Sequence, residues 1–405
     1  MKILQINKFH YPRGGSERYV FELSKLLEDH GHEVIHFSMA DDKNYYSKFS
    51  QYFIKPGDLD KFNLINIIKF FYNYEAVKNL KKLIKDERPD IAHLHNIAHQ
   101  ISPAIIKVLK NHKIPIIQTL HDYKLICPNA KLYSRGLICE QCRGGRYYNC
   151  FLKKCSHNSW TKSFLAMSEA YLNNKILKYY NSVDLFIAPS RFMKNICVKF
   201  YIPENKIKLI YNFIVAETEA VEDIMEKNEP AYLLYFGRLS EEKGIDVLLA
   251  ALKILNNKIK LKIAGAGPDY KKCQSLIAQY KLNAQAELVG PKYGAELRQI
   301  IKQAKAIIIP SLWPENLPYS ALEALALGKI IIASHMGGLP EIIQDGYNGL
   351  LFKSGDSADL AGKISLILAD NQLTKSLEDK AKLSLNKFNK EEHCQRIGEI
   401  YKNLV

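Results

Sequence analysis

Short runs of apolar residues recur along this chain, separated by longer segments in which apolar positions return every three to four residues. The runs are Lys2–Asn7 (KILQIN), Val34–Phe37, Pro89–His95 (PDIAHLH), Ile114–His121 (IPIIQTLH), Val183–Pro189 (VDLFIAP) and Ile207–Tyr211 in the first half. In the second half they are Ala231–Phe236 (AYLLYF), Leu261–Ala264, Ala286–Val289, Ala306–Ile309 and Ile330–Ala333. Unbroken, β-branched runs such as Ala306–Ile309, bounded by Pro or Gly, are the pattern of parallel strands buried on both faces. Between them, Glu17–His30 carries Val20, Phe21, Leu23, Leu26 and Leu27 on one helical stripe and is stopped by Gly31. Ile245–Asn256 and Ser320–Leu327 (SALEALAL) read as helices in the same way. Strand, loop, helix and strand follow one another, which predicts an α/β chain built from βαβ units.

Pro310–Gly349 is the densest of these units. Glu315 sits in the loop after one strand and Glu323 on the helix before the next. Ligands in parallel sheets bind beyond the carboxyl ends of the strands, so both carboxylates can face one crevice. The plainer alternative is a solvated loop acid with a helix acid favoured by the macrodipole. A second cluster follows Ala231–Phe236. In GRLSEEKG, Arg238 and Lys243 flank a loop that opens a helix, a workable clamp for a diphosphate or else an exposed turn with solvated charges. Near the start, Gly14-Gly15 opens another helix, where free backbone N–H groups attract anions; the pair also suits an ordinary tight turn. It lacks the G-x-G-x-x-G spacing of dinucleotide binders. His121 ends one of the predicted strands, on the edge that ligands prefer.

At 405 residues and 47% hydrophobic content, the chain can form two cores, with boundaries expected at 1–212, 213–385 and a final helix over 386–405 that can return to the first domain. The polar stretch Glu217–Pro230 reads as the link between the two. The net charge of +15 is lopsided, since residues 1–210 hold 33 Lys and Arg against 18 Asp and Glu while the remainder balances. That half should meet something anionic, such as a nucleic acid, a membrane surface or a phosphorylated substrate, unless it is simply a soluble basic surface. The aromatic, lysine-rich segment 43–88 contains an amphipathic stretch that suits either a membrane surface or packing on the sheet. No run of 18 apolar residues predicts a membrane span, and the first residues read as a strand and not a signal peptide.

Five of eight cysteines lie between Cys127 and Cys155. Their irregular spacing does not resemble a secreted disulfide scaffold, and cytosolic residence is the expectation. Cys139-x2-Cys142 with Cys150-x4-Cys155, in an insertion spanning about 127–157, could supply four thiolates to a structural zinc or remain free thiols.

Taken in order, GRLSEEKG, AGAGP, ELVG, IIIPS, Glu315-x7-Glu323, EALALGK and SHMGGLPEII-DGYNGLLF resemble the C-terminal domain of retaining GT-B glycosyltransferases of family 4. Gly14-Gly15, HLHN at 93–96, the histidine of TLH and IAPSRF…IYN resemble that family's N-terminal domain. The resemblance implies two Rossmann-like, doubly wound domains facing a cleft, with a nucleotide-sugar donor on the second and an acceptor on the first. Glu315 would then contact the transferring sugar and Glu323 the ribose. Arg238 and Lys243 would neutralise the leaving diphosphate without a metal cofactor, Gly15 would donate to the phosphates, and His121 would lie near the sugar. Lys292 and Tyr293 would cradle the base. Gly265, in AGAGP, and Asn316, Leu317, Pro318 and Tyr319 would complete the donor site. Many members carry E-x-F-G here, and Pro318 removes the amide at the glycine position, so that contact must shift to Leu317 or Tyr319.

The resemblance implies a nucleotide-sugar donor without fixing its base, and a UDP-sugar is favoured over a GDP-sugar as the expectation. The acceptor would be a glycan or lipid-diphosphate for bacterial surface polysaccharide, reached at the inner face of the plasma membrane. A non-transferase GT-B enzyme, an epimerase or phosphorylase, is the alternative. Nucleic-acid binding is disfavoured because no stacking or recognition motif is present.

Overall fold

The computed structural model describes residues 1–57, 64–215, 231–256 and 258–405. The whole of the expected linker, Glu217–Pro230, therefore lies outside the described residues. The chain divides into two compact units. Unit 1 comprises 1–135, 139–213 and 390–405, and unit 2 comprises 136–138 and 214–389.

Unit 1 is built on six parallel strands: β1 (Lys2–Ile6), β2 (Glu33–Phe37), β3 (Ile91–Leu94), β4 (Ile116–Thr119), β7 (Leu185–Ala188) and β8 (Ile207–Leu209), while the short pair β5 (Tyr133–Ser134) and β6 (Leu137–Ile138) stands apart. The sheet order is β2-β1-β3-β4-β7-β8. Ile3 pairs with Val34 on one side and Ile91 on the other, and all three are fully or nearly fully buried, as unbroken apolar runs require. The amphipathic stretch forms two helices, Leu64–Phe71 and Tyr74–Glu87. They are separated where Asn73 caps the second by accepting from the Ala76 amide at 3.1 Å. Val77, Leu80, Leu83 and Ile84 of the second helix are buried, so its apolar face is covered by protein. The last helix, Lys390–Leu404, belongs to unit 1 and buries Cys394, Ile397 and Tyr401 there.

Unit 2 repeats the plan with β9 (Tyr232–Phe236), β10 (Lys260–Ala264), β11 (Ala286–Leu288), β12 (Ala306–Ile309), β13 (Ile331–Ser334) and β14 (Leu350–Phe352), ordered β11-β10-β9-β12-β13-β14. Ile307, Ile308 and Ile309 pair with Ile331, Ile332 and Ala333, and the helix between these strands spans Tyr319–Ala326.

In each sheet the strand order reverses beside the first strand, between β1 and β3 and between β9 and β12. Crevices in doubly wound sheets open at such switch points, at the carboxyl ends of the strands. The residues just past β9 and β12 include Arg238, Lys243 and Glu315; those just past β1 and β3 include Lys8 and His95. Among the described residues no helix is long and apolar enough to cross a membrane.

Candidate functional site

At the switch point of unit 2, β9 runs out through Gly237 and Arg238 into a single 3-10 turn, Glu241–Lys243, while β12 runs out through Pro310 and Ser311. These two loops meet. Lys243 Nζ donates to Glu315 Oε1 at 2.7 Å, and Ser311 Oγ donates to the same oxygen at 2.5 Å. Glu315 is 4% exposed, so the pair is sheltered from water, where charge-assisted bonds are strongest. Lys243 Nζ also stands 5.1 Å from the centre of the Trp313 ring. The Leu312 amide donates to Glu242 O at 2.9 Å, and the Ser334 and Ser354 hydroxyls donate to Ser311 O at 2.7 and 3.1 Å.

Glycine makes this fit possible. Gly337 has φ +59°, and a Cβ there would lie 2.2 Å from Glu315 O; the next amide, of Gly338, donates to that carbonyl at 2.7 Å. Gly265 plays the same part beneath Arg238, since a Cβ would lie 1.9 Å from Gly237 O. Its own amide donates to Gly290 O at 2.9 Å and is therefore engaged within the protein.

The remaining sequence-marked positions of unit 2 are distributed around this pair. Asn316, Leu317 and Tyr319 are buried, and Pro318 is the N-cap of the Tyr319–Ala326 helix, on which Glu323 is partly buried. Arg238 is exposed, its carbonyl accepts from Tyr235 OH at 2.8 Å, and its side chain makes no ion pair among the described residues. Lys292 pairs with Glu296, and Tyr293 is an exposed N-cap of the helix Gly294–Gln303.

Unit 1 places Gly15 at the start of the helix Gly15–Asp29, with Gly14 extended at its N-cap. That helix start already holds a carboxylate. Glu17 is 4% exposed, accepts from Asn7 Nδ2 at 3.3 Å, and is pushed up in pKa by burial. His121 heads a line of buried rings and amides. Its Nε2 lies 2.9 Å from His95 Nδ1, and His95 Nε2 lies 2.6 Å from Gln5 Oε1. Because an amide oxygen only accepts, His95 carries its proton on Nε2, His121 donates from Nε2, and His121 Nδ1 is left as an acceptor. Burial pushes His121 down to about 3, so the ring is neutral at physiological pH. Next to it, His93 bridges Tyr401 OH at 2.8 Å and Thr119 Oγ1 at 2.7 Å, and His393 bridges Tyr19 OH at 3.0 Å and Tyr211 O at 2.8 Å.

His121 and His95 line a recess of about 360 Å³, including its open mouth, together with Lys8, Asp122, Lys124 and Tyr180. Burial lowers the Lys8 pKa and raises that of Asp122. Lys124 pairs with the buried Glu169 at 2.7 Å, and His99 approaches the same carboxylate at 3.2 Å. Burial alone would raise Glu169, but these two neighbours outweigh it and hold it at about 2. Burial also pushes His99 down to about 4, so at neutral pH Lys124 supplies the lasting counter-charge. None of Gln5, Glu17, Lys8, Asp122 or Glu169 was marked by the sequence. His95 stood inside the HLHN motif, and the alternation of His93 and His95 along one strand was the one available signal.

Cys139, Cys142, Cys150 and Cys155 are all free thiols, not joined in disulfides. Among the described residues no group of three or more His, Cys, Asp or Glu side chains is arranged to hold a metal ion. Cys142 and Cys150 pack with Tyr147, Ala166 and Ala170, and burial pushes the Cys142 thiol well up. The Cys150 thiol hydrogen-bonds Cys155, which holds Cys150 up and draws Cys155 down; Cys155 also lies 3.3 Å from Ser134 Oγ.

Two doubly wound parallel-sheet units are the GT-B architecture, here with a Lys–Glu pair at the switch point of the second. The profile described as Glycosyltransferase Family 4 matches residues 13–218, and that described as Glycosyl transferases group 1 matches 217–384. An uncharacterized glycosyltransferase of Methanocaldococcus jannaschii, MJ1178, is 27% identical over 405 residues, covering 100% of this chain and 99% of that protein. The lipopolysaccharide 1,2-N-acetylglucosaminetransferase of Salmonella typhimurium is 29% identical over 238 residues, 54% of this chain and 61% of that one. The crystal structure of Anabaena Alr3699/HepE in complex with UDP superposes with a TM-score of 0.70 at 18% identity, covering 100% of both chains. The chain belongs to glycosyltransferase family 4 and is a glycosyltransferase of GT-B fold.

Proposed function

We propose that this enzyme is a retaining transferase that moves a sugar from a UDP-sugar to a glycan or lipid-diphosphate-linked acceptor in bacterial surface-polysaccharide synthesis, working at the cytoplasmic face of the membrane. The observation that carries the proposal is the Lys243–Glu315–Ser311 arrangement at the switch point of unit 2. Lys243 and the exposed Arg238 take the charge that develops on the departing diphosphate, the task a cation must perform wherever phosphate is the leaving group. Both recorded contacts to the Glu315 carboxylate fall on Oε1, which leaves Oε2 for a sugar hydroxyl or for oxocarbenium charge. Glu323 holds the ribose, Lys292 and Tyr293 the base, and Asn316, Leu317 and Tyr319 the sugar, with Pro318 contributing shape but no amide. Within unit 1, the Gly15 amide is a donor suited to an anion, and His121 Nδ1 accepts from a hydroxyl.

UDP bound to a structural neighbour and lipopolysaccharide in the name of a relative support the nucleotide and the pathway. The test is UDP release from a panel of UDP-sugars with undecaprenyl-diphosphate-linked glycans, followed by NMR of the product anomer. Glu315→Ala should lose transfer while keeping its fold. A fully active Glu315→Ala enzyme, or a product of inverted anomeric configuration, contradicts the proposal.

A further inference from the structure

The Cys-rich insertion has no part in the chemistry above, yet its outer surface is distinctive. Helix Tyr148–Leu152 and helix Trp160–Tyr171 pack together through Cys150, Ala166 and Ala170. Tyr148, Leu152, Trp160 and Phe164 remain 47%, 56%, 48% and 49% exposed. At least the aromatic part is one patch: the Phe151 ring lies 4.8 Å from Trp160 and 5.9 Å from Phe164, and Lys154 Nζ stands 4.7 Å above Trp160. Isolated exposed apolar side chains are ordinary, whereas clustered aromatics mark interaction surfaces.

The insertion that carries this patch is equally one-sided in charge. Residues 131–178 contain nine Lys and Arg against two Asp and Glu. Both acids are already neutralised, Glu169 by Lys124 at 2.7 Å and Glu140 by Lys199. Arg143, Arg146, Lys175 and Lys178 are exposed, with no acid of the same segment left to offset them. Half-exposed aromatic rings with Lys154 over one of them, on an insertion with a surplus of cations, match a bilayer interface, where rings sit at headgroup level and lysines meet anionic lipid. An acidic protein would satisfy the cations and leave the rings unexplained.

We infer that the outer face of this insertion docks on an anionic bilayer, with Trp160 and Phe164 entering the headgroup layer and Lys154, with the other cations of the insertion, meeting lipid phosphates. The helix Tyr74–Glu87 is the weaker candidate, since its apolar face is buried in unit 1. The inference extends the reading of a lipid-linked acceptor and rests on it only for its purpose, because docking requires no acceptor.

Sedimentation of the full chain with vesicles tests it, using phosphatidylcholine alone and phosphatidylcholine with about 30% phosphatidylglycerol, a level that gives a negative surface potential. The chain should sediment with the anionic vesicles only, less so at high salt. Trp160→Ser with Phe164→Ser should cut partitioning at least about tenfold, and Lys81→Glu with Lys82→Glu should leave it near wild type. Thermal stabilisation by UDP, measured in parallel, should be unchanged in the Trp160/Phe164 variant, which shows that it is folded. Equal sedimentation with neutral vesicles, full binding by the Trp160/Phe164 variant, or loss in the Lys81/Lys82 variant overturns the inference. Vesicle binding without any UDP response would instead count against the donor assignment and leave the docking surface standing.

Discussion

Glu315 and Lys243 are 72 positions apart in sequence and 2.7 Å apart in the structure, and the chemistry depends on that contact. Lys243→Ala should leave Glu315 without its counter-charge and weaken UDP binding about 10- to 100-fold, the range of one lost charge-assisted bond. Calorimetric titration with UDP measures this directly, and an unchanged affinity would remove Lys243 from the diphosphate site. Glu323→Ala should raise the donor KM with a smaller effect on kcat, as expected for a lost ribose contact. At this scale much was legible: the motif spacing marked both partners of the pair. Ser311 was not singled out, because a serine after an apolar run carries no signal of its own. Lys8, Asp122 and Glu169 were invisible for a related reason, since only the folded loops bring their charges together.

The strands and most helices could be read from apolar runs and helical stripes, because local periodicity decides which face is buried. The long-range polar links could not. Tyr401 meets His93 across 308 positions, and Tyr19 meets His393 across 374, so no local pattern reveals either. These elements dictate a pH response. Burial depresses His93, and it pushes His121 to about 3 and His393 to about 4, below the unfolded value of 6.5. The unfolded chain therefore binds more protons at mildly acid pH, and stability present above about 6.5 is lost as pH falls toward the folded values. Each such histidine contributes a slope of up to about 1.4 kcal/mol per pH unit. Glu17 and Asp122, raised by burial, oppose this where they take up their protons in the folded state. Melting temperature should thus fall between pH 7 and 5.5, and a flat profile would show that these rings are solvated. Gly337→Ala tests the loop-to-strand fit: a Cβ 2.2 Å from Glu315 O should cost about 1–3 kcal/mol and reduce transfer. Wild-type stability in that variant would mean the Glu315 backbone yields freely.

Each unit of the molecule carries its polar residues where its own strand order reverses, so sheet topology explains the positions of the functional side chains. The positive surplus, confined by the sequence to residues 1–210, lies almost entirely in unit 1 and not in the unit that carries the Lys243–Glu315 pair. Cysteine spacing alone does not report whether four sulfurs converge on one point, and among the described residues no group of three or more such side chains is arranged to hold a metal ion. The central claim is that unit 2 binds a nucleoside diphosphate at the Lys243–Glu315 switch point. Thermal denaturation with UDP, GDP, ADP and UDP-sugars tests it most directly, since a ligand at about 100 times its Kd adds about 2.7 kcal/mol of stability. UDP and at least one UDP-sugar should raise the melting temperature by roughly 5 °C, and Lys243→Ala should abolish most of that rise. No response to any nucleotide, or an equal response in Lys243→Ala, would contradict the account.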